Sequence, residues 1–499
     1  MNKLLKFTVT AGLATLSLVL PSTSVVEGKT YIVNNENTDR LATSEGIGTI
    51  SAKDLLPKVA LKSQNSIVNK GTEIYQIDKD FDVPKVSKSL RTQSKAEIPS
   101  IVKDYQKGDT RDFTTVNMVT NTDEKTTAKL LYNGTKAQVW VADSRVTEAK
   151  ATQIGKEFDN KIGPLIESKF STPSDIDKNG KINILVFDIK DDYETTKSYV
   201  GGYFHPRDLL MMQGSNLSET FYMDTFPSMG KNAEMDVTKI YTTLAHEYQH
   251  MVNFNRNVLV EKGDFINGKM DTWLNEAFSM AAEQVYSKEV LTKRIEYFNK
   301  SQTIANGRSV LQWNNNDDVL SNYSLSYLFG QYLRTQSSNG EAVFKEILED
   351  QGTTIETLQR AIHKNVSPTM SVGEFLTNFR VALEKLDATG KYGFKGESGF
   401  NAIQPIHISS LPKGLAPGGA VVFDAQDTFK VPADKGQNIK YVEVGESTPE
   451  EPTSELPTSE APTTEEPATV EAPTTERPTT ERPSTKPCTD GRIWCPGNY

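Results

Sequence analysis

The 499-residue sequence predicts an α+β fold, and three observations carry that reading. Residues 137–187 run strand, helix, strand: the apolar Ala137–Ala142, a helical stretch Val146–Lys169 with Ile154, Phe158, Ile162 and Ile166 four apart, and the apolar Ile182–Phe187. Helical patterns then dominate from Ala233 to Glu384. Short β-branched segments, bounded by turn residues, lie before residue 135 and after residue 400.

Taken in order, residues 1–24 read as an export signal. Lys3 and Lys6 precede the apolar run Phe7–Leu20, and the small residues Ser22–Ser24 follow it. That run is too short to span a bilayer comfortably, and no later segment is apolar for long enough. No transmembrane segment is expected, and the mature protein is predicted to be secreted, extracellular and soluble. Over 25–135, Thr30–Val33, Thr72–Ile77, Thr114–Val119 and Thr127–Tyr132 predict strands of a β-rich region, either a propeptide or a structural domain. The main body spans 136–400. It adds short strands at Gly201–Phe204 and Phe221–Met223. Helices follow at Ala233–Val258, Asp271–Tyr286, Val290–Phe298, Ser324–Thr335, Glu341–Asp350, Thr354–His363 and Ser371–Glu384. Residues 401–445 predict a small β unit with strands at Ala420–Phe423, Thr428–Val431 and Lys440–Val444.

The chain changes character at 446–487, a Pro-, Thr- and Glu-rich segment that cannot bury a core and reads as an extended, disordered linker. Ten Glu against three Lys/Arg in 446–486 supply −7 of the net charge of −10, so the rest is near neutral. Nucleic acid and anionic membranes are therefore not expected as partners. The two cysteines, Cys488 and Cys495, lie in 488–499 around Asp490-Gly491 and predict a small disulfide loop in an oxidising compartment. Trp494 in that loop offers a surface or carbohydrate contact; a simple end cap is the plainer alternative.

The chemistry concentrates at Leu244-Ala245-His246-Glu247-Tyr248-Gln249-His250, an H-E-x-x-H sequence within a helical pattern. Residues four apart stand one turn apart on the same helical face. His246 and His250 can thus reach one zinc ion, and Glu247 can serve as general base toward a water on the metal. Only five histidines exist in the chain, and this segment holds two at the ligand spacing. A catalytic zinc site needs a third protein ligand. A third histidine six residues on is absent, because Asn253 and Arg256 occupy the positions a His-type extension would need. Glu276, in Trp273-Leu274-Asn275-Glu276-Ala277-Phe278-Ser279, is the candidate: its helix is rich in small and apolar residues, and a buried carboxylate calls for a cation.

H-E-x-x-H followed by Asn-Glu-x-x-Ser resembles the gluzincin pattern. The wider set is similar to the hyicolysin-type neutral metallopeptidases of secreted bacterial proteins. It comprises Asp175–Gly180, Gly202–Phe204, Ser215-Asn216, Phe221–Thr225, His246–His250, Trp273–Ala277 and Tyr323–Phe329. The likeness spans about residues 110–390. It implies a zincin-like catalytic domain and a secreted zinc endopeptidase acting on proteins or peptides. The metal ligands would be His246, His250 and Glu276, with Glu247 as general base. It further implies a donor for the tetrahedral oxyanion on a later helix, for which Tyr323 is the candidate, ahead of Tyr327 and of His205, which reads as a surface-loop residue. One position departs from the pattern. Thermolysin-like members carry an Asp four residues after the ligand Glu to orient a histidine, and Met280 stands there. Asp175-x-Asp177-x-Asn179-Gly180 is the first half of an EF-hand loop, and Val186 replaces its twelfth-position Glu. An incomplete calcium cage and an Asx-rich turn both fit it. Two other functions stay open: a non-catalytic surface-associated binding protein on a peptidase scaffold, and an exopeptidase.

Overall fold

The computed structural model describes residues 28–56, 75–77, 79, 81, 104–230, 235–260, 270–315 and 317–445. The signal segment 1–24, the linker 446–487 and the terminal loop with Cys488, Trp494 and Cys495 lie outside the described residues. The chain divides into two compact units at Glu446/Ser447, and the second of them lies wholly outside the described residues.

The described chain opens with β1 (Lys29–Asn35), the two-residue β2 (Glu45–Gly46) and β3 (Tyr75–Ile77). Next come β4 (Thr110–Asn117), β5 (Thr122–Asn133) and β6 (Ala137–Val141). The expected helix at 146–169 is present in two pieces, α1 (Glu148–Glu157) and α2 (Gly163–Lys169), joined by a π-helical turn at Phe158–Ile162. Pro164 supplies the reason, since it has no N–H to continue the α-helical ladder. Thr147 caps the start by accepting from Lys150 N at 3.4 Å. β7 (Ile182–Phe187), β8 (Ser198–Val200), β9 (Gly202–Phe204) and β10 (Thr220–Asp224) follow.

β4 to β7, β9 and β10 form one six-stranded mixed sheet in the order β4-β5-β6-β7-β10-β9. β6, β7 and β10 run parallel at its centre, and every residue in them is buried. Continuous apolar strands are what a sheet covered on both faces requires. One face presents Val139, Val141, Ile184, Val186, Phe221 and Met223 to the helices. The other presents Trp140, Leu185, Phe187 and Tyr222 to a smaller core with Phe113 and Leu130. β9 closes one edge, antiparallel to β10.

The helical part is built from α3 (Tyr241–Phe254), α4 (Thr272–Ser287), α5 (Thr292–Lys300), α6 (Val319–Gln336), α7 (Ala342–Glu349), α8 (Thr354–Asn365) and α9 (Val372–Lys385). The helix expected from Ala233 begins as regular α-helix only at Tyr241. A 3₁₀ turn at Val237–Ile240, capped by Asp236, leads into it.

After the helices come β11 (His407–Ile408), β12 (Gly414–Leu415), β13 (Ala420–Ala425) and β14 (Ile439–Glu443). They do not stand alone: β1 runs antiparallel between β13 and β14 in a four-stranded sheet. The expected strand at Thr428–Val431 is absent; the segment is turn and irregular chain. Both edges of β1 are already taken, so 428–431 has no place beside it in the ladder, and Pro432 has no N–H to offer one. Phe429 serves packing instead, with its ring 5.0 Å from Tyr31 and 5.4 Å from Phe423. The helices and sheets together make the described molecule a mixed α+β fold.

Candidate metal centre

α3 is buried from Thr243 through Phe254, so its polar residues must find partners inside the protein. It lies against α4 in antiparallel sense, and three successive contacts define that register. His246 meets Glu283, His250 meets Ser279, and Asn253 meets Asn275. Glu276 lies between these contacts and is fully buried.

The geometry converges. Nε2 of His246 stands 3.5 Å from Oε2 of Glu276, and Nε2 of His250 stands 3.7 Å from Oε1. The two imidazole rings are 4.8 Å apart and tilted by 75°. One ligand atom from each of the three residues lies within 4.8 Å of the other two, an arrangement able to hold a metal ion. Ligands about 2.0–2.2 Å from zinc at a tetrahedral angle stand roughly 3.3–3.6 Å apart, close to the spacings seen here. Two imidazoles and a carboxylate are the nitrogen and oxygen donors of a zinc site with three protein ligands.

Both histidines are oriented by α4. Glu283 Oε1 lies 2.8 Å from Nδ1 of His246. An ionised carboxylate can only accept, so Nδ1 carries the proton and Nε2 faces Glu276 with its lone pair. Ser279 Oγ lies 3.0 Å from Nδ1 of His250 and donates its own hydrogen to Gln249 Oε1, which again places the imidazole proton on Nδ1. Met280, where thermolysin-like members carry the orienting Asp, is buried in the apolar core. Glu276, Ser279 and Glu283 recur at i, i+3 and i+7, one face of one helix, and that spacing is the signal by which the last two could have been found.

Glu247, on α3 between the two histidines, is buried. It lies against β9: a Cβ on Gly202 would meet Glu247 Cγ at 3.0 Å, Glu247 Oε1 at 3.2 Å and Tyr222 O at 2.8 Å. Only glycine permits that approach.

The three candidate oxyanion donors are placed differently. Tyr323 is buried on α6, with the Arg294 guanidinium 4.5 Å from its ring and Trp313 edge-on at 4.9 Å. Tyr327 has its hydroxyl engaged, donating to Gln284 Oε1 at 2.6 Å and accepting from Leu291 N at 2.9 Å. His205 is not a surface-loop residue. It is buried, stacks on Phe81 with ring centres 4.1 Å apart, and accepts from Arg207 N through Nδ1. Burial, with the Arg207 charge beside it, pushes its pKa down to about 3, so it stays neutral.

The Asp175–Gly180 loop carries Asp175 and Asp177 to Glu219, and one carboxylate oxygen from each lies within 4.8 Å of the others. Val186, at the twelfth position of an EF-hand count, is instead buried within β7. Glu219 comes from the residue before β10, a long-range contact that local spacing does not reveal.

Residues 100–405 match the peptidase M30 family. The chain is 50% identical over 435 residues to the neutral metalloprotease ShpI of Staphylococcus hyicus, covering 87% of this chain and 98% of that protein. A solved structure of yeast LTA4 hydrolase overlaps 52% of this chain and 42% of its own length at 12% identity and a TM-score of 0.30, too slight a likeness to bear on the fold. Among the described residues no helix is long and apolar enough to cross a membrane. Half of all aligned positions shared along nearly the whole of a metalloprotease, with a family match over the core, place the chain in the peptidase M30 family: it is a metallopeptidase, a metal-dependent hydrolase of peptides or proteins.

Proposed function

We propose that this metallopeptidase is a secreted zinc endopeptidase of the gluzincin type on a zincin-like scaffold. The observation that carries the reading is the convergence of His246 and His250, through Nε2, on the buried Glu276 carboxylate, with Glu247 one residue from the first histidine. His246, His250 and Glu276 would hold the metal and leave a fourth position for water or substrate. Bound there, zinc supplies a Lewis acid that activates a water and polarises the scissile carbonyl. The remaining steps belong to the protein. Glu247 takes the proton of the attacking water and delivers it to the leaving amine. Glu283 and Ser279 keep both imidazoles in the tautomer the site needs. Tyr323, buried on α6 beside the Arg294 guanidinium, is the proposed donor to the tetrahedral oxyanion.

Export is supported by the N-terminal pattern of Lys3, Lys6 and the apolar Phe7–Leu20.

The test is casein digestion by the purified protein and by Glu247→Gln, with zinc content measured on both. The variant is expected to retain zinc and lose about 10²–10⁴-fold in rate. Undiminished activity would remove Glu247 as general base. Internal cleavage products support the endopeptidase reading, whereas trimming from one end would replace it with an exopeptidase.

A further inference from the structure

Glu219 ends in an arrangement its hydrogen bonds do not complete. Its side chain is 1% exposed. Oε1 accepts from Ser174 Oγ at 2.6 Å and from Ile176 N at 2.8 Å, while the buried Oε2 receives no hydrogen bond among the described residues. A buried carboxylate oxygen without a donor is costly unless a cation meets it.

The groups around it are carboxylates. Asp175 Oδ1 accepts from Gly180 N at 3.0 Å, and Asp177 accepts from Asn179 N at 3.3 Å and Asn179 Nδ2 at 2.8 Å. One oxygen from each of Asp175, Asp177 and Glu219 falls within 4.8 Å of the others. Two oxygens each about 2.4 Å from a common ion can stand at most about 4.8 Å apart, so the spacing admits calcium. The nearby cations are engaged elsewhere. Arg111, whose charge faces Asp177, donates to Asn216 O and Ser218 Oγ, and Lys181 donates to Gly134 O and Thr135 O.

We propose that Asp175, Asp177 and Glu219 form a calcium site that ties the loop before β7 to the start of β10. β7 and β10 are parallel neighbours, and Asn183 N already donates to Glu219 O at 2.7 Å. The ion would therefore fasten the entry to two central strands, and β10 in turn holds β9 at the metal centre. All-oxygen ligation by three carboxylates suits a hard cation such as calcium. The proposal does not depend on which metal His246, His250 and Glu276 hold.

The test uses the full-length zinc-loaded protein, freed of calcium with a calcium-selective chelator and titrated with calcium chloride by calorimetry. Thermal unfolding is followed in parallel. One saturable calcium per chain and a melting temperature raised by several degrees are expected. Asp175→Asn, at an exposed position, should fold with an unchanged calcium-free melting temperature and bind calcium about ten-fold more weakly or worse. Glu219→Gln should abolish the calcium-dependent shift. Absence of saturable binding, a shift that survives in both variants, or an equal response to magnesium at the same concentration would overturn the assignment.

Discussion

Glu283 and Ser279 decide how the two histidines present themselves. Each holds an Nδ1 proton, so the lone pair of each Nε2 is left to face Glu276. The two contacts differ in kind: Glu283 brings a charge to His246, while Ser279 brings a neutral hydroxyl shared with Gln249. Glu283→Gln keeps a side-chain oxygen able to accept the same hydrogen bond and removes the charge. Ser279→Ala removes the contact altogether. Loss of such orienting contacts typically costs about 10–100-fold in metal affinity. Zinc dissociation measured against a competing chelator should show Ser279→Ala and Glu283→Leu in that range, with Glu283→Gln less affected than Glu283→Leu. An unchanged affinity in Glu283→Leu would remove the orienting role.

At the scale of elements, the site depends on how closely α4 is held between α3 and α6. Gly330 on α6 lies close against α4: a Cβ there would meet Ala277 O at 3.0 Å and Ala277 Cβ at 3.3 Å. Ala277 adjoins Glu276. Gly330→Leu should force the two helices apart, destabilise the protein by about 1–3 kcal/mol, and loosen zinc together with stability. Chemical denaturation and metal titration on the same variant check both effects. A large loss of stability with no change in zinc affinity would mean that α4 moves as a rigid unit with α3. The elements themselves were legible where their signal is local. β7 has the bounds its apolar run predicts, and α8 and α9 begin at the Thr353 and Ser371 caps. Thr428–Val431 misled because β propensity describes a segment and not whether a neighbouring edge is free to receive it.

For the molecule as a whole, the long-range connections are what the sequence could not display. β1 joins the first described residues to the last ones, with Lys29 opposite Ala425 and Tyr31 opposite Glu443. His407 ties the C-terminal sheet to the helices. Its Nδ1 lies 2.9 Å from Asp424 Oδ1, and its Nε2 lies 3.1 Å from Glu384 Oε2. Hydrogen bonds to Asp424 and then Glu384 push its pKa up from 6.5 to about 10. A raised folded-state value means that the charged form is favoured by folding. The stabilisation is complete below about pH 6.5 and is lost as the pH rises through about 10. Solvent reaches the ring, so the contribution is on the order of 1–2 kcal/mol. Urea unfolding at pH 6 and pH 10 should show this decline, and His407→Gln should flatten it. An equal pH dependence in that variant would assign the decline to other groups.

The sequence by itself determined which residues could bind a metal and which helices would carry them. Two histidines one turn apart and a glutamate in an apolar helix are properties of local spacing, and the 3.6-residue period converts spacing into a shared face. Tertiary structure decided everything that needed two elements to meet: Glu283 on His246, Ser279 on His250, Gly202 against Glu247, Glu219 beside Asp175 and Asp177, and the burial of His205. These contacts come from packing apolar faces against one another, and the polar residues that end up facing each other are far apart in the chain, where no periodicity relates them.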